Sequence, residues 1–165
     1  MSKSTDDLKA AFAGESQANR RYLAFAKKAD DDGFPQVARL FRAAAAAETV
    51  HALAHFRALG DIKSTAENLQ TAINGENYEV VTMYPDFIKD AESEQDKKAL
   101  LSFSRAWDVE KIHEALYRKA LAALGNEAPV VEYYVCPVCG FTHEGPMTEK
   151  CPVCSTPADR FNKID

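Results

Sequence analysis

The sequence predicts a mainly α fold, a bundle of four long helices followed by a small cysteine-rich metal domain. Three observations carry this. Apolar residues recur in steps of three and four through four segments before Gly125. Beyond Gly125 the composition turns to Pro, Gly, Thr, Val and Cys in short runs, the pattern of turns and small strands. All four cysteines, Cys136, Cys139, Cys151 and Cys154, fall in that last stretch.

The first helix is expected from about Ser4 to Asp32, with Leu8, Ala11, Glu15, Ala18, Tyr22, Phe25 and Ala29 on one seam. Pro35 suits a first helical position, and a second helix follows to Leu59 with Gly60 as its terminator. Its seam is Val37, Phe41, Ala44, Glu48, His51 and His55, and the run Ala43 to Ala47 gives high helix propensity and a slim face. The third helix starts at Ser64 or Thr65 and runs to about Glu92, with Leu69, Ala72, Glu76, Glu79, Met83 and Phe87 on its seam. Its periodicity continues past Pro85, so a kink is expected there rather than a stop. The fourth runs from about Ser93 to Leu124 along Leu100, Phe103, Trp107, Glu110, His113, Tyr117 and Leu121. Short connections make the bundle antiparallel in type. The expected division is a bundle over 1–125, a linker over 126–132 and a cysteine domain over 133–165.

The bulk numbers agree with that plan. A chain of 165 residues, 46% hydrophobic, makes one ordinary domain, or one domain with a small appendage, and needs no disulfides to hold its core. The net charge of −5 and the lack of a basic block argue against nucleic-acid and membrane-surface partners. The opening MSKSTDD has no apolar core of a signal peptide, and no apolar run is long enough to span a bilayer. The cytoplasm is the expected compartment, where clustered cysteine pairs read as a metal site before a disulfide set.

Each apolar seam contains acids. Glu15 lies between Ala11 and Ala18, Glu48 and His51 follow the alanine run, Glu76 and Glu79 lie between Ala72 and Met83, and Glu110 and His113 lie between Trp107 and Tyr117. A buried carboxylate must neutralise, pair or bind metal, and these seams hold no lysine or arginine. Residues three apart on a helix share a face, so Glu48/His51 and Glu110/His113 each aim two ligands at one point. One Glu from each of two helices plus Glu-x-x-His from each of the other two is the pattern of di-iron carboxylate bundles. A single Glu-x-x-His is commonplace and usually solvated. The ordered series E, E-x-x-H, E-x-x-E, E-x-x-H is far more specific. Oxygen and imidazole donors suit iron or manganese. Tyr22 and Tyr84 are either plain core tyrosines or hydrogen-bond partners of the ligand carboxylates.

Cys136-Pro-Val-Cys139 and Cys151-Pro-Val-Cys154 form a tetrahedral four-thiolate site. Gly140 allows a tight turn that faces backbone N–H groups to sulfur, and Tyr134, Phe141 and Phe161 supply an apolar shell. His143 is expected on a surface loop, since four thiolates complete the coordination. Zinc would make this domain structural and iron would make it a one-electron carrier; the thiolates accept either.

Over essentially its whole length the chain resembles the rubrerythrins. The matching stretches are Ala11-Phe-Ala-Gly-Glu-Ser-Gln-Ala18, Glu48-Thr-Val-His51, Gly75-Glu-Asn-Tyr-Glu79 with Met83-Tyr-Pro85, Glu110-Lys-Ile-His113 and the paired cysteine knuckles. The resemblance implies a ferritin-like bundle with a rubredoxin-like tail, acting as a peroxidase that reduces hydrogen peroxide to water in defence against oxidative stress. It implies Glu15, Glu48, His51, Glu76, Glu79, Glu110 and His113 as ligands of two irons, and Cys136, Cys139, Cys151 and Cys154 as ligands of a third. One iron would be held by His51 when reduced and by Glu79 when oxidised. The resemblance also implies a homodimer, helix-swapped in some members, and electrons from a rubredoxin or reductase linked to NAD(P)H. Ser155 departs from the glycine that often follows the second knuckle, and Thr82 stands where some members carry an additional glutamate. Two other readings remain: a ferroxidase or iron-storage protein of the same bundle class, and a binding module with zinc in its cysteine site.

Overall fold

The computed structural model describes residues 2–126 and 129–164. Residues 127 and 128 of the expected linker, and the terminal positions 1 and 165 of the expected domains, lie outside the described residues. The chain forms two compact units, Met1–Lys63 and Ser64–Asp165.

The first unit is a helical hairpin. Helix α1 spans Lys3–Asp31, and the Ser2 hydroxyl caps it by accepting the Thr5 N–H at 3.3 Å. Helix α2 spans Pro35–Leu59, with the proline at its start and Gly60 ending it at φ 71°, both where the sequence places them. Ala38, Ala45 and Ala52, seven residues apart, are buried on α2, and Ala26 and Ala29 are buried on α1. Small side chains at this spacing let two backbones approach closely. Asn19 uses that proximity: its amide donates to Ala45 O at 2.7 Å and to Thr49 Oγ1 at 2.9 Å. Phe12 stacks on Phe56 with centroids 4.9 Å apart, and Tyr22 and Phe25 pack on Phe41.

The second unit opens with a capping box. Ser64 and Glu67 exchange side-chain and backbone hydrogen bonds at the start of helix α3, Thr65–Tyr78. The helix does not stop at Pro85. A π-helical turn over Glu79–Met83 leads straight into helix α4, Tyr84–Ser93. The Tyr84 N–H reaches back five residues to Glu79 O. On that spacing the next acceptor, Val80 O, would look to Pro85, which has no N–H. The Trp107 indole N–H fills the gap, donating to Val80 O at 2.7 Å. The wider turn thus absorbs the proline, and the tryptophan satisfies the carbonyl left over.

Helix α5 spans Lys97–Ala123 and starts four residues later than the expected Ser93. Ser93 is instead the last residue of α4. Gln95 takes φ 56°, and the Asp96 carboxylate caps α5 by accepting the Lys98 and Ala99 N–H groups at 2.9 and 3.0 Å. Tyr84, Phe87 and Phe103 form an aromatic cluster between α4 and α5.

The cysteine region carries a three-stranded antiparallel sheet in the order β2-β1-β3, with β1 Tyr133–Val135, β2 Thr142–Glu144 and β3 Asn162–Ile164. It packs on α5: Val109, 2% exposed, shares a buried cluster with Cys136, Phe141 and Cys151.

Candidate metal centres

The two cysteine knuckles repeat one geometry. The Gly140 N–H donates to Cys136 O at 3.0 Å, and the Ser155 N–H to Cys151 O at 2.9 Å. The Cys136 N–H donates to Phe141 O, and the Cys151 N–H to Thr156 O. Both turns end in the left-handed region, Gly140 at φ 83° and Ser155 at φ 62°. Ser155 therefore bears a strain that a glycine would not.

The four sulfurs are free thiols and converge, with ligand atoms all within 4.8 Å of one another. Cys136 Sγ–Cys154 Sγ and Cys139 Sγ–Cys151 Sγ are each 3.5 Å. A tetrahedron with metal–sulfur bonds of about 2.3 Å has edges of roughly 3.8 Å, so the cage fits one metal ion. Burial pushes the Cys136 thiol up, but the Val138 and Cys139 N–H groups and Thr156 outweigh it and hold it at about 6. Cys154 is lowered by Thr156 against the same burial effect, whereas burial raises Cys139 and Cys151. Backbone N–H groups aimed at sulfur stabilise thiolate, the state that ligates metal. Phe141 is buried and Phe161 meets it edge-on, as expected of an apolar shell. His143 stands outside the cage but is half-buried, with Nδ1 3.0 Å from Gly145 O, where a surface loop had been expected.

In the first unit, Glu15 from α1 and Glu48 and His51 from α2 bring their ligand atoms within 4.8 Å of one another. Glu48 and His51 are joined by Oε2–Nδ1 at 2.9 Å, the contact that their three-residue spacing predicts.

In the second unit, Glu76 from α3 and Glu110 and His113 from α5 form the matching group. His113 Nδ1 lies 2.6 Å from Glu110 Oε2. Burial raises Glu76 to about 7, and the neighbouring Glu110 adds to the rise. The hydrogen bond with His113 lowers Glu110 and in turn raises His113. Glu79 lies outside this group of three, but it is raised by burial and by Glu110. It is the first residue of the π-helical turn, so the widened backbone sets its direction. Tyr84 and Tyr117 are raised by burial first, and then by Glu79 and Glu76 respectively. Tyr84 therefore borders the acids, while Tyr22 packs among phenylalanines.

One side chain that the sequence does not single out meets this second group. Beside the group, Asn77 donates to Glu114 Oε1 at 3.2 Å, and Glu114 also holds Arg118. Thr142, on β2, meets His113. No helical periodicity can reveal a partner 29 residues away on a strand.

Comparison with known proteins decides the ancestry. The rubrerythrin family model matches residues 6–121, and the model of the rubrerythrin rubredoxin-like domain matches residues 134–162. The chain belongs to the rubrerythrin family. Nigerythrin of Nitratidesulfovibrio vulgaris is 40% identical over 94% of this chain and 84% of its own length. Rubrerythrin-2 of Clostridium acetobutylicum is 36% identical over 94% of both chains. The solved structure of fully reduced, all-ferrous nigerythrin matches at a TM-score of 0.60 and 36% identity, covering 99% of this chain and 88% of that one. The fold is thus the ferritin-like bundle followed by a rubredoxin-like domain. The cofactors of this rubrerythrin-family chain are a di-iron centre and one iron among four cysteines, and the carboxylate, histidine and thiolate donor sets fit them. Such proteins are oxidoreductases. Among the described residues, no helix is long and apolar enough to cross a membrane.

Proposed function

We propose that this chain is a peroxidase that reduces hydrogen peroxide to water at its di-iron centre, with electrons arriving through the Fe(Cys)₄ site. The observation that carries this reading is the doubled donor set: Glu15, Glu48 and His51 in one unit, and Glu76, Glu110 and His113 in the other. We assign these six as iron ligands, with Glu79 as the seventh, and Cys136, Cys139, Cys151 and Cys154 as ligands of the third iron. When bound, the iron pair supplies the two electrons that the O–O bond requires and a positive charge that stabilises the oxygen anions formed.

The side chains do the rest. The carboxylates would neutralise the cations, and the two histidines would each add a neutral nitrogen donor. Tyr84 and Tyr117 keep their phenolic protons well above neutral pH, because burial and the acids beside them oppose the phenolate. Each therefore stays an O–H hydrogen-bond donor at the edge of the acid group, able to relay the two protons that peroxide takes up from solvent without itself ending as phenolate. The Cys₄ cage packs against Val109 on α5, the helix that carries Glu110 and His113, and this contact supports the reading of the cage as electron carrier to the iron pair.

The upstream donor on this reading is a rubredoxin or reductase drawing on NAD(P)H, the assembly a homodimer and the compartment the cytoplasm. The bundle occupies 1–125 and the rubredoxin-like domain 133–165. Stopped-flow mixing of the anaerobically reduced, iron-loaded protein with one equivalent of hydrogen peroxide tests the activity. Ferric absorption should appear within the mixing experiment and faster than with dioxygen. Oxidation by dioxygen outpacing peroxide, together with iron stored in a large cage, would favour a ferroxidase and overturn the proposal.

A further inference from the structure

The His113 ring is gripped from both sides. Nδ1 faces Glu110 Oε2 at 2.6 Å, within the acid group. Nε2 faces away from it, 2.9 Å from Thr142 Oγ1 on β2 of the rubredoxin-like domain. Thr142 is itself committed, since its hydroxyl donates to Gly140 O at 3.1 Å. A hydroxyl has one proton. With that proton on the Gly140 carbonyl, Oγ1 presents only lone pairs to the imidazole, so Nε2 must carry the hydrogen.

We propose that Thr142 is a positioning residue for His113: its hydroxyl holds the ring proton on Nε2 and so reserves Nδ1 for the metal. This rests on the reading of His113 as an iron ligand and adds how its tautomer and ring plane are chosen. A neutral imidazole has one donor and one acceptor nitrogen, and a wrong tautomer would turn an N–H toward the cation. The bond borders a largely apolar cavity of about 380 Å³ lined by Leu69, Leu116, Tyr133, Val135 and other groups. Gly140 directly follows Cys139, so the turn that shapes the cysteine cage also aims the threonine that aims the histidine.

The test uses the full-length protein loaded with zinc, which is diamagnetic, and ¹⁵N-labelled histidine. In the parent, the His113 Nε2–H should give a slowly exchanging low-field proton resonance, with Nδ1 shifted by metal. Thr142→Val, close in shape but without the hydroxyl, should speed exchange of that proton roughly 2- to 10-fold, the worth of one net hydrogen bond. It should also weaken zinc binding at Glu76, Glu110 and His113 about 10-fold. Thr142→Ser should restore both. Unchanged amide shifts at Cys136 and Cys139 show that the cysteine domain remains folded. Should Thr142→Val leave the Nε2–H signal and its exchange as in the parent while zinc still binds through Nδ1, the tautomer is fixed without the hydroxyl. The Thr142 assignment is then wrong, and the metal site stands. Should His113 take up no zinc, the proposed metal site itself falls, and this inference with it.

Discussion

Replacing Trp107 by phenylalanine removes the only indole of the chain and the donor that Val80 O depends on. Two alternative donors are already ruled out. The Tyr84 N–H is used by Glu79 O, and Pro85 has none to give. Losing the bond costs about 1 kcal/mol net, and leaving a half-buried carbonyl unpaired raises the total to about 1–3 kcal/mol. Pro85→Ala supplies a new N–H at the position that Val80 O lacks. In that background the cost of Trp107→Phe should fall to roughly 1 kcal/mol or less, the lost ring packing and the weaker contact with the Lys111 ammonium that sits over the ring. The four proteins form a double-mutant cycle, read from urea midpoints by far-UV circular dichroism of the metal-free protein at constant m value. A coupling energy of about 1 kcal/mol or more is expected. Equal losses in both backgrounds, within about 0.3 kcal/mol, would show that the indole does not stand in for the missing proline N–H.

Four other outcomes are expected. Glu76 is raised from 4.5 to about 7 in the metal-free fold, so its proton stabilises that fold fully below 4.5, and the contribution is lost as pH rises through about 7. Metal must displace the same proton, and a second from the raised His113, so zinc affinity measured by chelator competition should climb through about pH 7, and less steeply in Glu76→Gln, which has no carboxyl proton to displace. Ser155→Gly should relieve the left-handed strain at φ 62° and stabilise the cysteine domain by about 0.5–1 kcal/mol. Gly140→Ala should cost about 1 kcal/mol through its backbone alone, because its added Cβ would meet only Val109 Cγ1 at an ordinary 3.9 Å; metal release to a chelator reads both variants. Asn19→Ala should destabilise the α1–α2 hairpin by about 1–2 kcal/mol, since Ala45 O and Thr49 Oγ1 lose a shared donor; hydrogen exchange along α2 reports it.

The helices, their caps and the donor residues were legible because each depends on neighbours within one turn. Pro35 and Gly60 mark the ends of α2, and a three-residue spacing is enough to join Glu48 to His51 and Glu110 to His113. The two knuckles were legible for the same reason, since each closes on itself over five residues. The start of α5 was misplaced because Ser93 and Asp96 are both good caps. The choice fell to the left-handed turn at Gln95, which ends α4 first.

What the sequence determined by itself, then, is the local order: four amphipathic seams studded with acids, and two cysteine pairs spaced to ligate one metal ion. Tertiary structure decided the pairings between residues far apart in the chain. It gave Val80 O to Trp107 and the Nε2 proton of His113 to Thr142, and it made Glu76 a far weaker acid than an exposed glutamate by burying it near Glu110. The physical reason is that hydrogen bonding and desolvation act over a few ångströms in space. Seam periodicity reports which way a side chain points, but not what the rest of the chain brings to meet it.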